Sequence, residues 1–175
     1  GTCLALHFGH RESLDFDFFT QSDFVTSKIT DLLSDIGNYE RENEEKNTIN
    51  GRLNGVRISF FGYKYKTIED FKIYGQVKLA GLKDISGMKL EAIAGRGSKK
   101  DFVDLCFLLK HYTLKEMLEF HYEKYGSGLN NQYHLLKSLI YFSDADSEAM
   151  PLMKEKVTWD QVKKEITLKA KELQI

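Results

Sequence analysis

Residues 1–20 read Gly1-Thr2-Cys3-Leu4-Ala5-Leu6-His7-Phe8-Gly9-His10-Arg11-Glu12-Ser13-Leu14-Asp15-Phe16-Asp17-Phe18-Phe19-Thr20. A small-residue turn opens the stretch. Leu4, Ala5 and Phe8 then share a face at helical spacing, and Gly9 can end that helix. The run from Leu14 to Phe19 is aromatic, broken by two acids one residue apart, which predicts a strand. Side chains alternate along a strand, so Asp15 and Asp17 project from one face and Phe16 and Phe18 from the other. Two adjacent carboxylates repel each other. Such a pair is either solvated or neutralised by a cation, and Mg²⁺ takes hard oxygen ligands of this kind. Gly1-Thr2 allows close backbone approach, and N–H groups at a helix N-terminus suit a phosphate.

The remainder predicts an α+β chain. A helix capped at Gln21 or Ser22 runs to Ile36, with a stripe of Phe24, Ile29, Leu32, Leu33 and Ile36, and Gly37 closes it. The charged stretch from Tyr39 to Asn54 reads as an exposed edge hairpin, with Asn50-Gly51 and Asn54-Gly55 as turn dipeptides. Val56 to Tyr65 alternates as a strand, and Lys72 to Leu79 is a further one. From Lys83 the pattern turns helical. Asp84 or Ser86 starts a helix to Ala94, and Ser98 caps one to His111. Thr113 caps one to Tyr125, and Gly126-Ser127-Gly128 is a linker. Asn131 to Phe142 is helical and residues 144–147 break it. Thr158 to Leu173 is a last amphipathic helix. A sheet of four or five strands flanked by helices is thus followed by a C-terminal helical bundle.

The chain has 175 residues, enough for one domain with a real core, and a net charge of −1 gives no global basic field for nucleic acid. Cys3 and Cys106 are too few for a disulfide framework and read as buried reduced thiols of a cytoplasmic protein. No apolar run reaches membrane-span length, so no membrane association is expected. His7, His10, His111, His121 and His134 lack metal-ligand spacing, although His10 can line a site. Tyr63, Tyr65 and Tyr74 sit on strands, where packing or stacking on a base are both open.

The pattern G-T-x-L-A-L-x-x-G-H-R-x-S-x-D-F-D-F-F-T resembles the opening motif of the AbiEii/AbiGii toxin family, minimal nucleotidyltransferases related to the DNA polymerase β palm. A second family cluster, K-x-x-A-x-x-x-R-x-x-x-K/R-D-x-x-D-L, resembles the run from Lys89 to Leu105, with Ala92, Arg96, Lys100, Asp101 and Asp104 in register. The resemblance implies a palm-like core over residues 1–82 and a helical region over 83–175 that completes the active site. It also implies helices and a second glycine upstream of Gly1.

On that resemblance Asp15 and Asp17 hold Mg²⁺ or Mn²⁺. Gly1, Thr2, Arg11, Ser13 and Arg96 bind the NTP, Lys89 and Asp101 are catalytic, and Asp104 and Lys100 support them. Arg11 contacts phosphate or else pairs with Glu12 or Asp15. Asp101 holds the acceptor or orients Lys89, or is simply a first-turn acid with Asp104 paired to Lys100. Lys83, Lys89, Arg96, Lys99, Lys100 and Lys110 are candidates for contacting a phosphate backbone. The implied activity is transfer of NMP from an NTP to RNA such as tRNA, by the toxin of a toxin–antitoxin or phage-defence pair with a cognate antitoxin. The superfamily commonly places a third carboxylate on the neighbouring strand, and the position here holds Ser59. A degenerate fold that binds nucleotide or protein without turnover is the competing reading.

Overall fold

The structure is a computed structural model that describes residues 1–126 and 132–173. The linker residues Ser127 and Gly128 and the helix start at Asn131 lie outside the described residues. The fold is α+β, and the chain forms two compact units. One comprises Gly1–Thr2 with Ser13–Tyr65, the other Cys3–Glu12 with Lys66–Ile175.

The first unit is a four-stranded mixed sheet in the order β1-β4-β3-β2: β1 (Asp15–Thr20), β2 (Tyr39–Glu45), β3 (Thr48–Leu53) and β4 (Val56–Gly62). β1 runs parallel to β4, with Asp15 opposite Arg57, Asp17 opposite Ser59 and Phe19 opposite Phe61. The other neighbours are antiparallel, and Asn50 lies opposite Ser59. Register partners share a face. One face therefore carries Asp15, Asp17 and Phe19 with Arg57, Ser59, Phe61, Asn50 and Arg52. The other carries Phe16, Phe18, Ile58, Phe60 and Ile49. Helix α2 (Thr26–Ile36) packs on the β2–β3 hairpin, where Leu33 and Ile49 are buried.

Two sequence expectations change here. Helix α2 starts at Thr26, because residues 21–24 are tied up in other bonds. Asn47 accepts from the Phe24 N–H at 2.9 Å and donates to Asp23 at 2.8 Å, and the Gln21 amide donates to the Tyr65 carbonyl at 2.9 Å. Asn50-Gly51 is no turn but the middle of β3. A Cβ at Gly51 would lie 2.6 Å from the Glu40 carbonyl and from the Tyr39 ring, so glycine admits the tyrosine across the strand. Asn54-Gly55 is the expected hairpin turn, with positive φ at both residues (50° and 81°).

The second unit is helical: α1 (Thr2–Phe8, entering it at Cys3), α3 (Leu82–Gly95), α4 (Lys99–Leu108), α5 (Leu114–Tyr125), α6 (Gln132–Ser138), α7 (Ser143–Asp146) and α8 (Trp159–Glu172). Its core gathers Leu4, Leu90, Phe102, Leu105, Met117 and Ile166. The segment read as one strand from Lys72 to Leu79 is a hairpin, β5 (Lys72–Tyr74) and β6 (Val77–Leu79), turning at Gly75 with φ +59°. The helix predicted to end at Phe142 stops at Ser138. The expected break at 144–147 holds the short α7, whose Ala145 is fully buried.

α3 begins at Leu82, not at Asp84 or Ser86, because both side chains are used otherwise. Asp84 accepts from the Ile68 and Glu69 N–H groups and from Lys124 at 2.6 Å, while the Ser86 hydroxyl donates to the Leu82 carbonyl. Gly87 lets α5 approach closely: a Cβ there would lie 3.2 Å from the His121 Cα. Thr113 and Thr158 form capping boxes with Glu116 and Gln161, as their positions predict. Cys3 and Cys106 are free and half-buried, and burial pushes both thiols up. No helix among the described residues is long and apolar enough to cross a membrane.

Candidate active site

The acid doublet belongs to the first unit, together with Gly1, Thr2 and Ser13. β1 orients the doublet by alternation, with Asp17 exposed and Asp15 half-buried. The Thr2 hydroxyl donates to the Asp15 carbonyl and is hydrogen-bonded to the Ser13 hydroxyl at 2.8 Å, fixing the glycine turn at the start of the strand. A Cβ on Gly1 would lie 3.8 Å from Asp17 Oδ2 and 3.9 Å from Ser13 Oγ, so the glycine leaves open a space lined by a carboxylate and a hydroxyl.

The row through Asp17 continues as Ser59 on β4 and Asn50 on β3. Ser59 is buried, and among the described residues no third Asp, Glu, His or Cys joins the doublet in a metal-binding group. Two carboxylates nevertheless suit Mg²⁺, which is commonly held by one or two carboxylates plus substrate phosphates and keeps several waters. The open space at Gly1 leaves room for such phosphates.

A second cluster is built wholly within the second unit. Asp104, at the centre of α4 and fully buried, accepts from Arg11 Nε at 2.7 Å and Nη2 at 2.9 Å. It also accepts from His10 Nε2 at 2.9 Å and Lys89 Nζ at 2.7 Å. Asp101, one turn earlier and equally buried, accepts from Lys89 at 2.8 Å, the Ser98 hydroxyl at 2.7 Å and Arg96 Nε at 2.9 Å. Two carboxylates thus hold three cations. Residues 10–12 are strapped in place by backbone bonds to 152–154, including Glu12 N–H to the Leu152 carbonyl at 2.8 Å.

Burial alone would raise the carboxyl pKa of both acids. At Asp104 the bonds from Arg11 and His10 and the charge of Lys89 outweigh it and hold the group well below its ordinary value. At Asp101 the Lys89 charge and Arg96 do the same. Burial would lower Lys89, but Asp104 and Asp101 keep it above an ordinary lysine. A carboxylate this saturated with donors is a poor proton acceptor, and a lysine this enclosed is a fixed charge.

The structure relocates several sequence-predicted residues. Arg11 is buried with Nε and Nη2 on Asp104, and its Nη1 donates to the Glu12 backbone carbonyl rather than to the Glu12 carboxylate. Asp104 pairs with Lys89 and Arg11 rather than Lys100. Ser98, expected to cap α4, gives its hydroxyl to Asp101 instead of a backbone N–H. Arg96 keeps 61% of its side chain exposed while Asp101 anchors it. The basic run disperses: Lys99 is buried on the Asp146 and Glu148 carbonyls and over Trp159, Lys83 lies over Phe120, and Lys110 pairs with Glu155. Sequence spacing found α3 and α4 but missed His10 and Arg11 as members of this cluster, which lie over ninety residues away along the chain.

Comparison with known proteins matches residues 1–79 to the family described as Nucleotidyl transferase AbiEii toxin, Type IV TA system. The chain is 37% identical over 179 residues to the uncharacterized protein aq_aa25 of Aquifex aeolicus (strain VF5), covering 98% of this chain and 84% of that one. Among solved structures it resembles a candidate nucleotidyltransferase from H. pylori, with TM-score 0.58 and 16% identity over 99% of this chain and 83% of the other. JHP933 from Helicobacter pylori is similar at TM-score 0.54 and 16% identity, over 99% of this chain and 81% of the other. These two likenesses establish the nucleotidyltransferase fold.

Proposed function

The chain belongs to the AbiEii nucleotidyl transferase toxin family, and we propose that it transfers NMP from an NTP to an RNA end such as that of tRNA. The proposal includes its role as the toxin of a phage-defence pair, held in check by a cognate antitoxin protein. The observation that carries it is the acid doublet on one face of β1, beside a glycine whose missing side chain leaves space at Asp17 Oδ2. Asp15 and Asp17 would hold Mg²⁺ or Mn²⁺. When bound, that ion neutralises the triphosphate and the charge developing on entering and leaving oxygens.

This chain's own residues do the rest. Gly1 and Thr2 offer backbone N–H groups to the β- and γ-phosphates, and the Thr2 and Ser13 hydroxyls hold that turn in place. Arg96, exposed yet held by Asp101, presents a guanidinium to an anion in a fixed orientation. Lys89 and Asp101 act as positioning residues for Arg96, and Asp104 and Arg11 hold that pair from beneath. In the transfer the acceptor's hydroxyl oxygen bonds to the α-phosphorus while the bond from that phosphorus to the bridging oxygen breaks. Pyrophosphate departs and the hydroxyl proton passes to water. Incubating the protein with labelled NTPs, Mg²⁺ and total RNA tests this: label enters RNA and pyrophosphate appears. NTP binding without release of pyrophosphate would contradict it.

A further inference from the structure

The face that carries Asp15 and Asp17 does not end with them. Two residues on along β1 comes Phe19, 47% exposed, with its ring stacked on Phe61 of β4 at 5.5 Å and 29°. Tyr63 meets Phe19 edge-on at 5.3 Å, and Tyr65 meets Tyr63 at 5.0 Å. The Tyr63 N–H extends the pairing to the Thr20 carbonyl at 2.7 Å, so this aromatic row continues the sheet. Lys64 alternates with the tyrosines and is well exposed beside Asp23. We propose that Phe19, Phe61 and Tyr63 form a stacking platform for unpaired bases at the end of the RNA acceptor.

The inference rests on the function proposed above and follows from direction along one strand. Thr2 and Ser13 lie just before β1, the acids are its first and third residues, and Phe19 is near its end, about 13 Å beyond Asp15 at the usual strand rise. In-line displacement sets entering and leaving oxygens on opposite sides of the phosphorus. With the departing phosphates at the Thr2 end, the acceptor approaches from the aromatic end. The exposed Phe19 ring, backed by the half-buried Phe61 and Tyr63, suits an acceptor that has π faces, since every base can stack on it without sequence selection. A sugar or protein hydroxyl alone would gain little there.

The test uses a short 5′-labelled single-stranded oligoribonucleotide in fluorescence anisotropy, with NTP–Mg²⁺ binding measured separately by calorimetry. Phe19→Leu keeps the position apolar and removes the ring; Phe19→Trp restores a larger one. Phe19→Leu is expected to weaken oligoribonucleotide binding about tenfold and Phe19→Trp to restore it, with NTP binding unchanged in both. Wild-type affinity for the oligoribonucleotide in Phe19→Leu overturns the platform. So does a loss confined to NTP binding, which would make the rings a donor-base site, or a change confined to self-association. Failure of the wild-type protein to bind NTP–Mg²⁺ would instead strike the underlying function.

Discussion

At the scale of single residues, the buried acids of α4 carry the clearest consequences. Asp104→Asn leaves Arg11 and Lys89 buried without their full counter-charge, and removal of one partner from such a set costs about 3–5 kcal/mol. Urea denaturation at neutral pH reads this directly. The pH dependence has a definite sign. The folded-state pKa values of Asp101 and Asp104 lie below the unfolded value of about 3.9. Their stabilisation is complete above that pH and is lost as pH falls through the lower folded values. Lys89 is raised, so its share is complete below about pH 10.4 and is lost above the folded value. The stability gap between wild type and Asp104→Asn should therefore be flat near neutrality and close below about pH 4 in thermal unfolding at graded pH. Arg96→Ala, by contrast, trims an exposed side chain. It removes one of three donors from the buried Asp101, which keeps Lys89 and Ser98, and is expected to lower stability by less than Asp104→Asn does, as urea denaturation would measure. The spacing of Lys89, Arg96, Asp101 and Asp104 announced a charge network in the sequence. Its closure by His10 and Arg11 could not be read there, because nothing in local pattern reports a contact over ninety residues away.

Among the elements, those whose signals are local were legible. The capping boxes at Thr113 and Thr158 and the Asn54-Gly55 turn are set by residues within a few positions of one another. Thr113→Ala should cost about 1 kcal/mol, seen as a lowered denaturation midpoint. Asn50-Gly51 carries the same dipeptide signature as a hairpin turn but folds as strand, because Gly51 is needed for packing against Tyr39. Gly51→Ala should accordingly destabilise by about 1–3 kcal/mol in the same assay, as overpacking does, whereas a turn reading would predict a different site of damage. At the starts of α2 and α3 an expected capping side chain was already committed to a distant partner, Gln21 to the Tyr65 carbonyl in one case and Asp84 to Lys124 in the other.

For the molecule as a whole, the opening motif supplies both compact units, with Gly1, Thr2, Ser13, Asp15 and Asp17 in the sheet unit and His10 and Arg11 in the helical one. Sequence pattern foretold the α+β class and the acid doublet, since alternation and two-residue spacing are visible in a string of letters. It did not foretell that the row beyond Asp17 would run through Ser59 to Asn50, which only strand register decides. Release of pyrophosphate from NTP in the presence of Mg²⁺ and RNA, compared between wild type and Asp15→Asn/Asp17→Asn, tests the account at its centre. A fall of about a thousandfold with an unchanged melting temperature is predicted, the several kcal/mol that a held metal supplies to the transition state. Undiminished release by the double variant would contradict it.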